Sequence, residues 1–448
     1  MRRIAVALAF ALALSAAAAS PAQSAEKAIW GPVGEVNGHG DAFDLYRRLG
    51  VDTYQATLNF GSTAPTRPAD PRDPRDPAYL WPRDLDRAVA DGARTGIAVA
   101  ILVTRSPPWA NGDRHFIFRP SDKAYADFLI ATARRYPSVR RWMIWGEPNR
   151  EAAFQPNSPN TTVGARSYAR LLDAAYGALK SVSRRNIVIG GMTYTGGGGG
   201  ETTPAPWLKG MKLPNGRPPR LDWYGHNPFS TRYPRIADGV NKGGYRDISD
   251  VDTLSREVAR TYRRIGRRPK LWLSEYVIQS DHGSKVFNYY VSRRGQAQWL
   301  RAAFRIANSL PPVAGLGWVA LQDEPESNLS TTWGLITAKG TRKPAFSAYR
   351  TAPSRAFRPL VDANRRLSRR ALGTRGLRVA VRTRAGGRIR VVLARRNGRA
   401  LIRRTARVSK AGARKRIALR SRRLPSGRYV LVVDAPRGER VRRSVVVH

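Results

Sequence analysis

A chain of 448 residues with 79 Lys and Arg against 32 Asp and Glu carries a formal charge of +47 and contains no cysteine. Disulfides, thiolate catalysis and thiolate-bound metals are thereby excluded, and the five histidines (His39, His115, His226, His282 and His448) show no His-Glu-x-x-His spacing, so neither cofactor nor metal is expected. The length exceeds that of one small domain and predicts two.

The first segment opens Met1-Arg2-Arg3, runs apolar from Ile4 to Ala19 and reaches small residues at Ser20, Ala22 and Ala25. This is the layout of a secretory signal peptide over residues 1–25; the apolar run falls short of the roughly 20 residues a membrane span requires. A secreted or wall-associated protein is expected, with no membrane span.

Residues 26–352 alternate short apolar runs with amphipathic stretches. Strands are predicted at 28–34, 53–59, 97–104, 141–145, 187–191, 221–226, 271–274 and 316–321. Helices are predicted at 41–49, 82–95, 122–136, 163–183, near Pro206, and at 248–265, 295–310 and 344–350. Strands alternating with helices pair in parallel, and eight such units predict an α/β fold of the (β/α)8, or TIM, barrel type. An open doubly wound sheet is disfavoured, because no glycine-rich turn follows the first strand. The stripe Tyr168, Leu171, Leu172, Ala175, Tyr176, Leu179 has helical spacing and reads as core. Long loops at 61–81, 193–206 and 229–247 leave the carboxyl ends of strands, where barrel sites are built. The run Gly196 to Gly200 lacks a following Lys-Ser/Thr and reads as a loop, not a phosphate cradle.

Residues 353–448 change in character. Six short strands, at 377–381, 389–394, 401–405, 415–419, 429–433 and 440–447, predict a small all-β sandwich. The segment from Leu424 to Val433 resembles the closing hairpin of bacterial immunoglobulin-like accessory domains. From Leu360 onward there are 28 Lys and Arg against three acids, an excess of 25 positive charges. Salt-sensitive attraction to an anionic cell-wall polymer is expected. Tyr429 is the one aromatic there, so base stacking is nearly absent and no specific nucleic-acid partner is expected.

Two apolar runs each reach a glutamate: Trp142-Met143-Ile144-Trp145-Gly146-Glu147-Pro148-Asn149 and Leu271-Trp272-Leu273-Ser274-Glu275-Tyr276. A carboxylate is costly to bury unpaired, so a Glu at a strand end belongs to a cleft. Two such residues on different strands suit glycosidic-bond cleavage, which needs one group to protonate the leaving oxygen and another to capture the cationic centre.

At these residues the chain resembles the clan A glycoside hydrolases of the family 39 and family 5 type, over about residues 27–350. That resemblance implies a retaining enzyme acting on polysaccharide or oligosaccharide, with Glu147 as acid/base at the end of strand four and Glu275 as nucleophile at the end of strand seven. It further implies substrate-contacting roles for Asn149, Tyr276, His226 on strand six, Trp318 on strand eight as a stacking platform, and Trp109 after strand three; Arg105, just before that segment, has the donors to bind sugar hydroxyls or a uronate. Gly146 departs from the clan, which has Asn there to bind the sugar 2-hydroxyl. This departure keeps open a second reading, a weak or inactive carbohydrate- or wall-binding protein on a glycosidase barrel. Asp323 and Glu324 read as loop or substrate-contact groups, not the catalytic pair.

Overall fold

The computed structural model describes residues 25–448 apart from 197–198, 237–239, 286, 328, 354–359, 365, 384–385, 410–412 and 437–439. The predicted leader, Ala25 apart, and part of the glycine run lie outside the described residues.

Eight strands form the first unit: β1 (Glu26–Trp30), β2 (Thr53–Asn59), β3 (Ala98–Thr104), β4 (Arg141–Ile144), β5 (Ile187–Tyr194), β6 (Trp223–Asn227), β7 (Lys270–Tyr276) and β8 (Val313–Val319). They pair in parallel, in the order β1-β8-β7-β6-β5-β4-β3-β2, and β2 closes back on β1. Helices α1 (Ala42–Leu49), α2 (Arg83–Thr95), α3 (Asp122–Arg135), α4 (Val163–Val182), α5 (Pro204–Gly210), α6 (Val251–Arg263), α7 (Arg293–Ala307) and α8 (Pro344–Arg350) follow the strands. The expected (β/α)8 barrel is therefore the observed fold. Ala28, Ala100, Leu102, Met143, Ile189, Met192, Trp272 and Ala314 fill the barrel lumen, and the stripe on α4 packs in the layer between strands and helices.

Local chemistry sets the boundaries. Asp41 caps α1 by accepting from the backbone N–H groups of Phe43 and Asp44, and Gly50, at φ 68°, ends it. Ser292 caps α7 through Gly295 N–H, starting that helix two residues ahead of expectation. The eighth strand starts at Val313, earlier than predicted, because Gly315 and Gly317 are strand residues. A Cβ at 315 would strike the Trp272 ring, and one at 317 the Ser274 carbonyl.

The second unit comprises β9 (Leu360–Ala363), β10 (Arg366–Leu367), α9 (Arg369–Thr374), β11 (Leu377–Arg382), β12 (Gly387–Ala394), β13 (Ala400–Val408), β14 (Lys415–Leu419), β15 (Gly427–Asp434) and β16 (Arg440–Val447). β9, β10 and α9 are additions to the six predicted strands. The sheets β9-β11-β14 and β10-β16-β15-β12-β13 share one core that includes Val379, Val381, Val391, Leu393, Leu431 and Val445. Where this unit meets the barrel, Arg382 is fully buried against Asp252 of α6 at 2.9 Å and donates to Ser309 Oγ.

Candidate active site

Both glutamates stand at the carboxyl end of the barrel, each on an irregularity in its strand. After β4 the chain enters left-handed conformation at Trp145 (φ 62°) and Glu147 (φ 48°). Trp145 N–H donates to Val103 O and Glu147 N–H to Met192 O, stitching this turn to both neighbouring strands. Strained conformations of this kind persist where surroundings over-determine them, and they concentrate at functional sites.

On β7 the device is a bulge. Leu273 pairs with Leu316 and Tyr276 with Trp318, so β7 carries one residue more than β8 over this stretch. Leu273 and Tyr276 both face the helix layer although three residues apart, which leaves Glu275 to the mouth. Ser274, just before it, is fixed: its carbonyl accepts from Gln55 Nε2 at 2.9 Å and from Trp30 Nε1 at 3.0 Å. Gln55 is itself held by Trp272 Nε1 at 3.0 Å.

The Asn227 side chain, at the end of β6, joins the two carboxyls. Its Nδ2 donates to Glu147 Oε1 at 3.1 Å, and its amide favours the ionised form of Glu275. Arg150 approaches Glu147 from the other side, with Nη1 2.6 Å from Oε2, and lies over the Tyr194 ring. Desolvation, then the charge of Glu147, pushes the Glu275 carboxyl up to about 8, opposed by Asn227 and Arg150. At neutral pH Glu275 of the unliganded site therefore keeps its proton, and Glu147 faces Arg150.

The other sequence-predicted residues divide. Four are corrected. His226 is wholly buried: Nε2 donates to Arg246 O at 2.6 Å, which fixes the tautomer, and Nδ1 accepts from the Thr193 hydroxyl at 2.8 Å. Burial lowers its pKa to about 4, so it is a neutral brace behind Asn227. Asn149 spends its amide on Tyr194 O and Thr202 O and its carbonyl on Tyr194 N–H, locking the Glu147 turn to the end of β5. Tyr276 and Trp318 pack edge to face in the helix layer, and Trp318, only 1% exposed, offers no face to a sugar. Strand parity is the reason: the stacking role requires the mouth-facing side, and both residues point away from it.

Trp109 and Arg105 remain partly accessible. The Trp109 indole donates to Ala64 O, its edge meets Phe60, and Arg67 covers its ring. The Arg105 guanidinium lies 4.1 Å from the Phe116 ring centroid. No contact joins either to the two glutamates among the described residues. Asp323 forms a buried ion pair with Lys343 at 2.7 Å, and Glu324 accepts from Thr331, so both serve the loop after β8. Sequence reasoning missed Asn227 and Arg150. Asn227 adjoins the singled-out His226, and Arg150 stands three residues after Glu147, but nothing periodic marks either.

The architecture is similar to a family 39 glycoside hydrolase from Bacteroides cellulosilyticus WH2, at 16% identity and a TM-score of 0.56 over 89% of this chain and 82% of that one. It is also similar to a monomeric beta-xylosidase from Caulobacter crescentus CB15, at 15% identity and TM-score 0.51, and to a glucosidase from Croceicoccus marinus, at 14% and 0.51. Each of these two alignments covers 89% of this chain and 94% of the other. No family model and no curated protein matches the sequence. At these identities the likeness is one of fold, the barrel fold of glycoside hydrolases, in agreement with the clan A resemblance of the two motifs.

Proposed function

We propose that this protein is a retaining O-glycoside hydrolase in which Glu275 is the nucleophile and Glu147 the general acid and base. The observation that supports this is the pair of glutamates at one barrel mouth, near enough for the Glu147 charge to raise Glu275, with Asn227 donating to Glu147 and favouring the ionised form of Glu275. Mutual influence of this kind suits the short separation of a retaining pair, about 5–5.5 Å, whereas inverting pairs stand roughly 6.5–9.5 Å apart to admit a water.

Double displacement requires one proton on the pair, and Glu275 keeps one at neutral pH. Substrate entry transfers it from Glu275 to Glu147 and moves Arg150 off the Glu147 carboxyl, leaving Glu275 ionised beneath the anomeric carbon. Glu147 then protonates the departing oxygen while Glu275 forms the glycosyl–enzyme bond. In the second half Glu147, ionised again, takes a proton from water as the water displaces Glu275. Residues 1–25, by their charge and apolar pattern, support export and action outside the cell on a polysaccharide or oligosaccharide.

The test is incubation with aryl glycosides and a panel of xylan, arabinan, mannan and β-glucan, with NMR of the first-formed anomer. Retention of configuration that disappears in Glu275→Ala is the expected result; inversion, or activity persisting in that variant, overturns the assignment. Gly146 favours one competing reading, a carbohydrate-binding protein on an inactive barrel, for which the same panel would show binding without product.

A further inference from the structure

The five-stranded sheet of the second unit has one buried face and one that is dressed in arginine. Strand register determines which side chains share the outer face. Arg388 of β12 is opposite Arg407 of β13. In the next row Arg390 and Arg440 flank Asp434, and in the one after, Arg403 and Arg442 flank Val392 and Val432. Asp434, the one carboxylate of these rows, pairs with Arg440 at 2.5 Å and with Arg390 at 3.8 Å. No ion pair engages Arg403 or Arg442 among the described residues.

Between the rows lies a hollow of about 190 Å3. Val392, Ala394, Val430 and Val432 line it, together with arginines that include Arg395 and Arg396 of the β12–β13 turn. Convergent guanidinium groups repel one another, and the repulsion is relieved by an anion whose planar oxygens match their forks. Val392 and Ala394 are buried at its floor, and the half-buried Val430 and Val432 suit the C–H face of a sugar ring. With strands about 5 Å apart, Arg390 and Arg440 stand about 10 Å from each other across the sheet and Arg403 and Arg442 about 14 Å, with about 7 Å between rows, so a ligand must carry repeated charges to use the whole face. Tyr429 points the other way, into the core, with its hydroxyl on Pro425 O, so the face has no aromatic for a nucleobase to stack on.

We propose that this outer face binds an extended polyuronate chain, one ring seated over the valines with its carboxylate among the arginines. The inference stands apart from the hydrolytic reading, since no residue of the barrel mouth takes part. It is tested on the full chain by calorimetric titration with polygalacturonate, a neutral glucan and duplex DNA of equal charge concentration, at low and physiological salt. Polygalacturonate should bind with salt-weakened affinity and the glucan should not. R390Q/R403Q/R442Q should weaken binding about tenfold or more, while R217Q/R263Q/R268Q, an equal charge change on the barrel, should alter it less than about twofold. Val432→Glu, which leaves every arginine in place, should weaken it too, with unchanged melting temperature confirming that each variant is folded. Equal loss in both triple variants would reduce the effect to overall charge and overturn the site; tighter binding of DNA than of polygalacturonate would overturn the glycan as its occupant.

Discussion

Replacing Glu275 by Gln should make the protein more stable, and more so as the pH rises. In the native state the Glu275 carboxyl is pushed up to about 8 by burial and by the Glu147 charge, whereas in the unfolded chain it returns to about 4.3. Between those two values the native state keeps a proton that the unfolded state has released, so native stability falls as pH rises through this window. At 1.36 kcal/mol per pKa unit the ceiling is about 5 kcal/mol at pH 8, and screening of a carboxyl at an open mouth brings the expected value to about 2–3 kcal/mol. Gln mimics the neutral acid and escapes the penalty. At roughly 2 °C per kcal/mol for a barrel of this size, the variant should melt about 4–6 °C above the parent at pH 8 and about level with it near pH 4.5. Calorimetric melts of both proteins at half-unit steps from pH 4.5 to 9 measure this. A melting difference that does not change with pH would refute the desolvated, charge-opposed carboxyl and with it the shared-proton account of the pair.

Glu147→Ala should slow natural glycosides by orders of magnitude while sparing the first step on aryl glycosides whose leaving groups need no proton, as pre-steady-state bursts would show. Gly146→Asn should fold normally, because a Cβ there meets only Leu102 Cδ2 at an ordinary 3.5 Å and Gly146 is not among the glycines of positive φ. If Asn at this position reaches the sugar 2-hydroxyl, kcat/KM on glycosides should rise relative to their 2-deoxy analogues, and an unchanged ratio would count against that contact. Asp252→Ala strips the closest carboxylate from Arg382, which is completely buried, and should cost about 3–5 kcal/mol, read as a lower melting temperature and earlier proteolysis between the two units.

The barrel was legible because its signal is repeated: eight β-branched or apolar runs separated by helical stretches all agree, and an error at one boundary leaves the count intact. Glu147 and Glu275 were legible for a related reason, each being a charge that interrupts an apolar run. What could not be read was facing. Asn149, Tyr276 and Trp318 have residue types that suit a sugar, yet the left-handed turn at Trp145 and Glu147 and the extra residue in β7 decide which side chains reach the mouth. Neither irregularity has a sequence mark, since both depend on contacts from distant strands. Asn227 escaped for the same reason, its partner Glu147 being brought near only by closure of the barrel, while Arg150 meets Glu147 across a local turn that no periodic pattern marks. In the second unit β10 and its two residues are too short to show alternation, and α9 spans under two turns.

The ion pair between Arg382 and Asp252 has a consequence for how the protein would work on an insoluble target. Catalytic and binding units joined only by a slack tether sweep the volume that the tether permits, and their mutual orientation averages out. A fully enclosed arginine at the seam forbids this, because separating the units would strand the carboxylate and the guanidinium without each other. The barrel mouth and the arginine-clad sheet thus keep a constant bearing. A molecule held by that sheet would present its cleft at one height and one azimuth above the surface, so that the spacing of strands in the wall, rather than the length of a linker, would determine which bonds come within reach.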